Sequence, residues 1–244
     1  MRVHPLLALM AILPLAAACD DDGEAARFRV EIENVSTQGL IDSPRADGTM
    51  PLSVGIWTVY EDDDPTFEVD DDASAGLELL AEEGIPSEQF APGNVTADLL
   101  SEVAADDDVH IVEILESPGG PDGGPDLYAG ERVVLEFVAE PGDDLQFVSS
   151  LLQSNDLFVA FDGGGLDLFD IFGDPREGNV TDEVAIFDAG TEVDEILGQG
   201  DAQPLSPNST LGAGTPENAE VTQGEFAQDV PAVEEFIRVI ITAL

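Results

Sequence analysis

Apolar and polar residues alternate one for one along several short stretches of this chain. Over 27–33, Phe28, Val30 and Ile32 fall on one face and Arg27, Arg29, Glu31 and Glu33 on the other. That is the period-two pattern of a half-buried strand. Segment 132–138 reads as a clear strand, with Gly130 before and Pro141-Gly142 after as turn formers. Runs rich in β-branched and aromatic residues predict further strands at 52–60, 109–115, 145–152, 157–161, 184–187 and 236–243, while 166–172 reads as a strand or a loop. Two segments have helical spacing: 74–83, with Leu77, Leu79 and Leu80, and 96–104, with Leu99, Leu100 and Val103 on one side and Thr96 in the N-cap position. Loops over 117–126 and 198–223 are built from turn formers, and loops that long in a compact domain are usually functional or mobile. About eight short strands, two short helices and long loops, without an internal repeat, predict one all-β domain over 27–244: an antiparallel β-sandwich.

The first residues follow another pattern. Arg2 precedes an apolar run over 5–18 that is too short to span a bilayer and ends in Ala16-Ala17-Ala18 before Cys19, the only cysteine. This predicts a signal peptide over 1–18, lipidation at Cys19 and a short acidic linker over 19–26. The protein is then exported, to the cell surface or periplasm, and meets the membrane only through its N-terminal lipid. Four sequons, at Asn34, Asn94, Asn179 and Asn208, permit N-glycosylation in such a compartment.

Charge narrows the picture. The chain has 53 Asp and Glu against 7 Arg and no Lys, for a net charge of −46. So negative a surface repels phosphate, which excludes DNA, RNA and anionic headgroups as main partners. Yet 43% of the residues are hydrophobic, too many for a disordered acidic chain. The two are reconciled in a salt-rich environment, where the Debye length falls to about 3 Å and surface repulsion fades. The acidic triplets at 62–64, 70–72 and 106–108 then read as solvated loops, and none has EF-hand spacing. A lone cysteine excludes an intramolecular disulfide and a cysteine zinc site. His110 is the only histidine beyond the leader, and its setting in Val109-His110-Ile111-Val112 predicts a core or strand-face residue rather than a catalytic base.

Against this acidic background one turn stands out. Asp188 and Glu192 lie four apart in Phe187-Asp188-Ala189-Gly190-Thr191-Glu192, directly after an apolar strand, and Gly190 lets the chain reverse so that the two can converge. Asp156 sits between two apolar strands in Ser154-Asn155-Asp156-Leu157-Phe158. Three such oxygens, with carbonyls and water, suit Ca²⁺, which takes six to eight hard ligands.

Together with Pro51-Leu52-Ser53-Val54-Gly55 and Ala73-Ser74-Ala75-Gly76-Leu77 upstream, these two turns resemble the spondin domain family, prokaryotic members included. The resemblance covers 27–244. It implies a C2-like antiparallel β-sandwich with Ca²⁺ bound by acids in loops at one end: Asp156 matches the acid of the first turn, Asp188 and Glu192 those of the second. Glu192 stands where animal members have Asp, Asn155 where a Pro is common, and Leu157 where an aromatic is common. Animal members add thrombospondin-type modules and act in matrix adhesion, and those partners are not carried over.

The expected function is thus that of a non-enzymatic, Ca²⁺-binding surface lipoprotein with an adhesion or ligand-binding role toward an unknown surface protein or glycan. The alternative is a metal-assisted or paired-carboxylate hydrolase acting on a surface polysaccharide.

Overall fold

The computed structural model describes residues 24–93, 95–119, 124–224, 226 and 228–244. The leader, Cys19, most of the acidic linker and the Asn94 sequon lie outside the described residues. In chain order the elements are β1 (Ala26–Asn34), β2 (Gly55–Tyr60), α1 (Ala75–Glu83), α2 (Leu99–Val103), β3 (Val109–Leu115), β4 (Arg132–Ala139), β5 (Asp144–Ser150), β6 (Leu157–Phe161), β7 (Leu166–Asp167), β8 (Gly178–Asn179), β9 (Val184–Asp188), β10 (Thr222–Gln223) and β11 (Ile237–Ala243). They form two antiparallel sheets packed face to face. One has the order β4-β1-β11-β8; the other has the order β10-β9-β6-β5-β2-β3, with β7 beside β5. Eight of the strands run five residues or longer, in line with the sandwich that the alternation predicts.

The smaller sheet has one wet face. Along β4 the residues alternate exposed and buried throughout, with Val133, Leu135, Phe137 and Ala139 turned inward. They meet Phe28, Val30 and Ile32 of β1 and Val239 and Ile241 of β11, and across the sandwich Trp57, Leu145, Phe147, Val159 and Phe161. The outer face holds Arg27, Arg29, Arg132 and Arg238, paired with Glu31, Glu33 and Glu136. Most of the chain's few cations are thus spent on one sheet face. As exposed pairs they contribute about 0–1 kcal/mol each, and less in salt.

The centre of the larger sheet is covered on both sides, so β2 and β6 are buried at every position. Its second face carries Ile56, Val148, Phe158, Ala160 and Phe187, on which α1 and α2 lay Leu77, Leu80, Ala81, Leu99 and Val103. Helix α1 is capped by Ser74, whose Oγ accepts from Leu77 N, and closes on Gly84 in the left-handed region. For α2 the cap is Asp98, accepting from Ser101 N, two residues beyond the predicted Thr96. Segment 166–172 forms only the two-residue β7 before leaving the sheet. No helix of the described residues is long and apolar enough to cross a membrane.

Phe158 joins these layers. Its ring stacks on Phe187 at 5.3 Å and meets Phe67 edge-on at 5.0 Å. Phe158→Ala is expected to cost about 3–5 kcal/mol, read as a lower urea midpoint with an unchanged slope. A loss under about 1 kcal/mol would mean that the helices do not seal this face.

Candidate metal centre

Strands β6 and β9 pair antiparallel with Leu157 opposite Asp188. The residue before β6, Asp156, and the last residue of β9, Asp188, therefore meet at one end of the sheet, and Ala189 N donates to Asp156 O at 3.2 Å. The turn ahead of β6 is fixed by Ser154, whose Oγ accepts from Leu157 N at 3.1 Å and donates to Leu151 O at 2.8 Å. Asn155 ties that turn to the next one: Oδ1 accepts from Glu195 N at 3.0 Å and Nδ2 donates to Val193 O at 3.1 Å. On the other side, Gly190 N donates to Asp188 Oδ1 at 2.7 Å, closing the reversal that Gly190 permits at φ +66°.

Asp156 is fully buried. Its Oδ2 accepts from Glu192 N at 2.9 Å, and no donor reaches its Oδ1. The Asp188 carboxyl lies within hydrogen-bond reach of Asp156. Two facing acceptors need either a shared proton or a cation between them. Burial, and then the Asp188 charge, push the Asp156 carboxyl up to about 8. Burial also raises Asp188, helped by Asp194 and Glu217. The donor set is all oxygen and all acidic, which fits a hard cation.

Of the three acids picked out in the sequence, Asp156 and Asp188 come together. Glu192 gives the site its backbone amide, and its carboxylate adds charge to Asp156 while it accepts from Asn155 Nδ2 at 3.4 Å and packs against Gly214. There it faces Glu82 across a cleft of about 460 Å³, and burial together with the Glu192 charge raises Glu82 to about 7. Besides Glu192, the acids that add charge beside the pair are Asp194 and Glu217. Glu217 arrives through the long loop, whose backbone pairs with the turn through Val193 N to Thr215 O, at 2.8 Å, and Glu217 N to Thr191 O, at 2.9 Å. Sequence spacing could not single out either among so many carboxylates.

A second group lies elsewhere. Glu61, His110 and Asp143 each present one ligand atom, all within 4.8 Å of one another, and could hold a metal ion. His110 is a strand-face residue with a half-exposed side chain, not a core one.

The sequons divide. Asn34 is fully buried, with Nδ2 donating to Met50 O at 2.8 Å and Leu127 O at 2.9 Å. Its amide is therefore closed to glycosylation in the folded protein, a correction to the reading from sequence. Asn179 and Asn208 are exposed.

No protein-family model and no curated protein matches this chain.

Proposed function

We propose that this chain is a Ca²⁺-binding surface protein of the spondin-domain kind, in which the ion clamps the two turns at one end of the sandwich. The observation that carries this reading is Asp156: a buried carboxylate with an oxygen that no donor reaches, facing Asp188. Asp156 and Asp188 would hold the ion, with Asp194 adding charge beside them. A bound Ca²⁺ supplies the positive charge that relieves the repulsion of these acids. Complete burial of Asp156 favours a structural ion over a paired-carboxylate hydrolase, because a glycosidic bond has to reach both carboxyls. Export and lipid attachment at Cys19 rest on the leader pattern, and the adhesion or ligand-binding role on the resemblance.

Asp188→Asn tests the reading. By calorimetry at a stated ionic strength, the wild type should bind one Ca²⁺, the variant at least about tenfold more weakly, and the Ca²⁺-dependent gain in melting temperature should shrink in parallel. Equal titrations for the two proteins would overturn the site. For the binding role, a pull-down from envelope extract at high salt should lose its partner on adding a chelator.

A further inference from the structure

At the opposite end of the same sheet, three neighbouring strands bring a histidine and two carboxylates together. Glu61 follows the end of β2, His110 lies at the start of β3, and Asp143 precedes β5; β2 pairs with both β3 and β5. Between β2 and β3 the register shifts: Val59 pairs with Ile111 and Tyr60 with Val109, which leaves His110 as the extra residue of a β-bulge. Bulges turn a side chain out of the regular alternation and are common beside functional sites. Here the bulge aims the imidazole along the end of the sheet, where Nε2 lies 3.3 Å from Asp143 Oδ1 and 3.9 Å from Glu61 Oε2.

Asp143 is held for this. It is 6% exposed, and its Oδ2 accepts from Glu140 N at 2.7 Å across the Pro141-Gly142 turn, so Oδ1 is the oxygen turned to His110. Glu61 N donates to Asp108 O at 3.1 Å, which fixes the backbone from which the exposed Glu61 carboxylate reaches in.

We propose that Glu61, His110 and Asp143 bind a borderline divalent transition cation of the Zn²⁺ type, at a site separate from the oxygen-only centre at Asp156 and Asp188. Metal–ligand bonds of about 2.0–2.1 Å in a tetrahedral shell place neighbouring ligand atoms about 3.4 Å apart. The 3.3 Å contact already has that spacing, and the 3.9 Å one closes with a small turn of the exposed Glu61 side chain. Two carboxylates and a neutral imidazole cancel the charge of a divalent ion. The imidazole nitrogen sets the selectivity, since Ca²⁺ and Mg²⁺ prefer oxygen alone. Three protein ligands leave room for water, so the ion would be open to solvent. Strand β5, seven residues long at about 3.3 Å each, separates the two ends by roughly 20 Å, so each site can fill without the other.

The test uses Zn²⁺ with the full chain in excess Ca²⁺ and Mg²⁺. His4 and His110 are the only histidines, so imidazole NMR signals are few, and those lost in His110→Gln belong to this site. One equivalent of Zn²⁺ should shift the His110 ring signals. His110→Gln, at an exposed strand position, should keep the fold and weaken Zn²⁺ at least about tenfold. Asp143→Asn keeps an acceptor for Glu140 N and should weaken it similarly. Asp156→Asn should leave Zn²⁺ binding unchanged, which keeps the fate of this site distinct from that of the Ca²⁺ reading. Ring signals that ignore Zn²⁺ would mean a plain histidine–carboxylate ion pair and would overturn the site, as would equal Zn²⁺ affinity in His110→Gln.

Discussion

Without metal, the protein should lose stability as the pH rises from about 5 to about 8, and Asp156→Asn should remove much of that loss. In the folded state Asp156 keeps its proton up to about pH 8; in the unfolded chain it releases it near pH 3.9. Between those values the folded state binds more protons than the unfolded one. Stability from this group is therefore complete below the unfolded value and drains away as the pH climbs to the folded one. One group contributes at most about 1.4 kcal/mol per pH unit, and with Asp188 sharing the titration a loss of about 2–4 kcal/mol over this window is expected. For a chain of this length that lowers the melting temperature by about 5–15 °C. Glu82 and Asp144, raised to about 7 and about 6, act with the same sign, so the readout is the difference between wild type and Asp156→Asn in chelator at fixed salt.

Asn keeps the oxygen that accepts from Glu192 N and puts a donor toward Asp188, so the metal-free variant should be the more stable protein at pH 8. Saturating Ca²⁺ should reverse the order, because only the wild type gains from the ion. Parallel pH profiles for the two metal-free proteins would show that Asp156 does not store this repulsion.

How far these features could be read in advance depended on what each residue had to reveal. Strand β4 was legible because Val133, Leu135 and Phe137 share one face with Arg132 and Glu136 on the other, and burial follows that alternation, although Val134 and Val138 on the wet face are apolar. Strands β2 and β6 showed apolar runs, but not that helices cover them, since burial on both faces erases alternation. The polar residues inside were opaque. Gln146 is fully buried because its Oε1 accepts from Phe161 N at 2.7 Å and from Phe147 N at 3.0 Å, partners that the fold alone supplies.

The metal centre was legible where a strand end placed the acid and illegible where a turn aimed it. Asp156 and Asp188 adjoin paired strands, so register brings them together. Glu192 lies beyond Gly190, and only the turn's geometry decides that its amide donates to Asp156. The apolar run around His110 leaves core and strand-face positions both open; the bulge that turns it outward is a property of the pairing with β2.

The last large effect is expected at Gly190. Its φ of +66° alone would cost an alanine about 1 kcal/mol or more. An added Cβ would also lie 2.7 Å from Ala219 O and from Glu220 O, both backbone atoms with no side chain to swing aside. That segment cannot simply retreat, since Ala219 N donates to Gly190 O at 2.8 Å and Val221 N to Asp71 O at 2.8 Å. Overpacking of this kind adds about 1–3 kcal/mol, so Gly190→Ala should cost about 2–4 kcal/mol in all. Gly173→Ala is the control: φ is +80°, yet nothing lies within 4 Å of its Cβ, so only the backbone cost of about 1 kcal/mol remains. Melting temperatures should fall by about 4–16 °C for the first and about 2–4 °C for the second. Ca²⁺ affinity should separate them further. Moving Gly190 disturbs the amide that holds Asp188 Oδ1, the Glu192 amide on Asp156 and the loop that carries Glu217, whereas Gly173 lies in the loop after β7, away from both turns. Equal losses in the two variants would mean that the 219–220 segment yields freely and that the turn at Gly190 does not depend on the long loop to hold Asp188 in place.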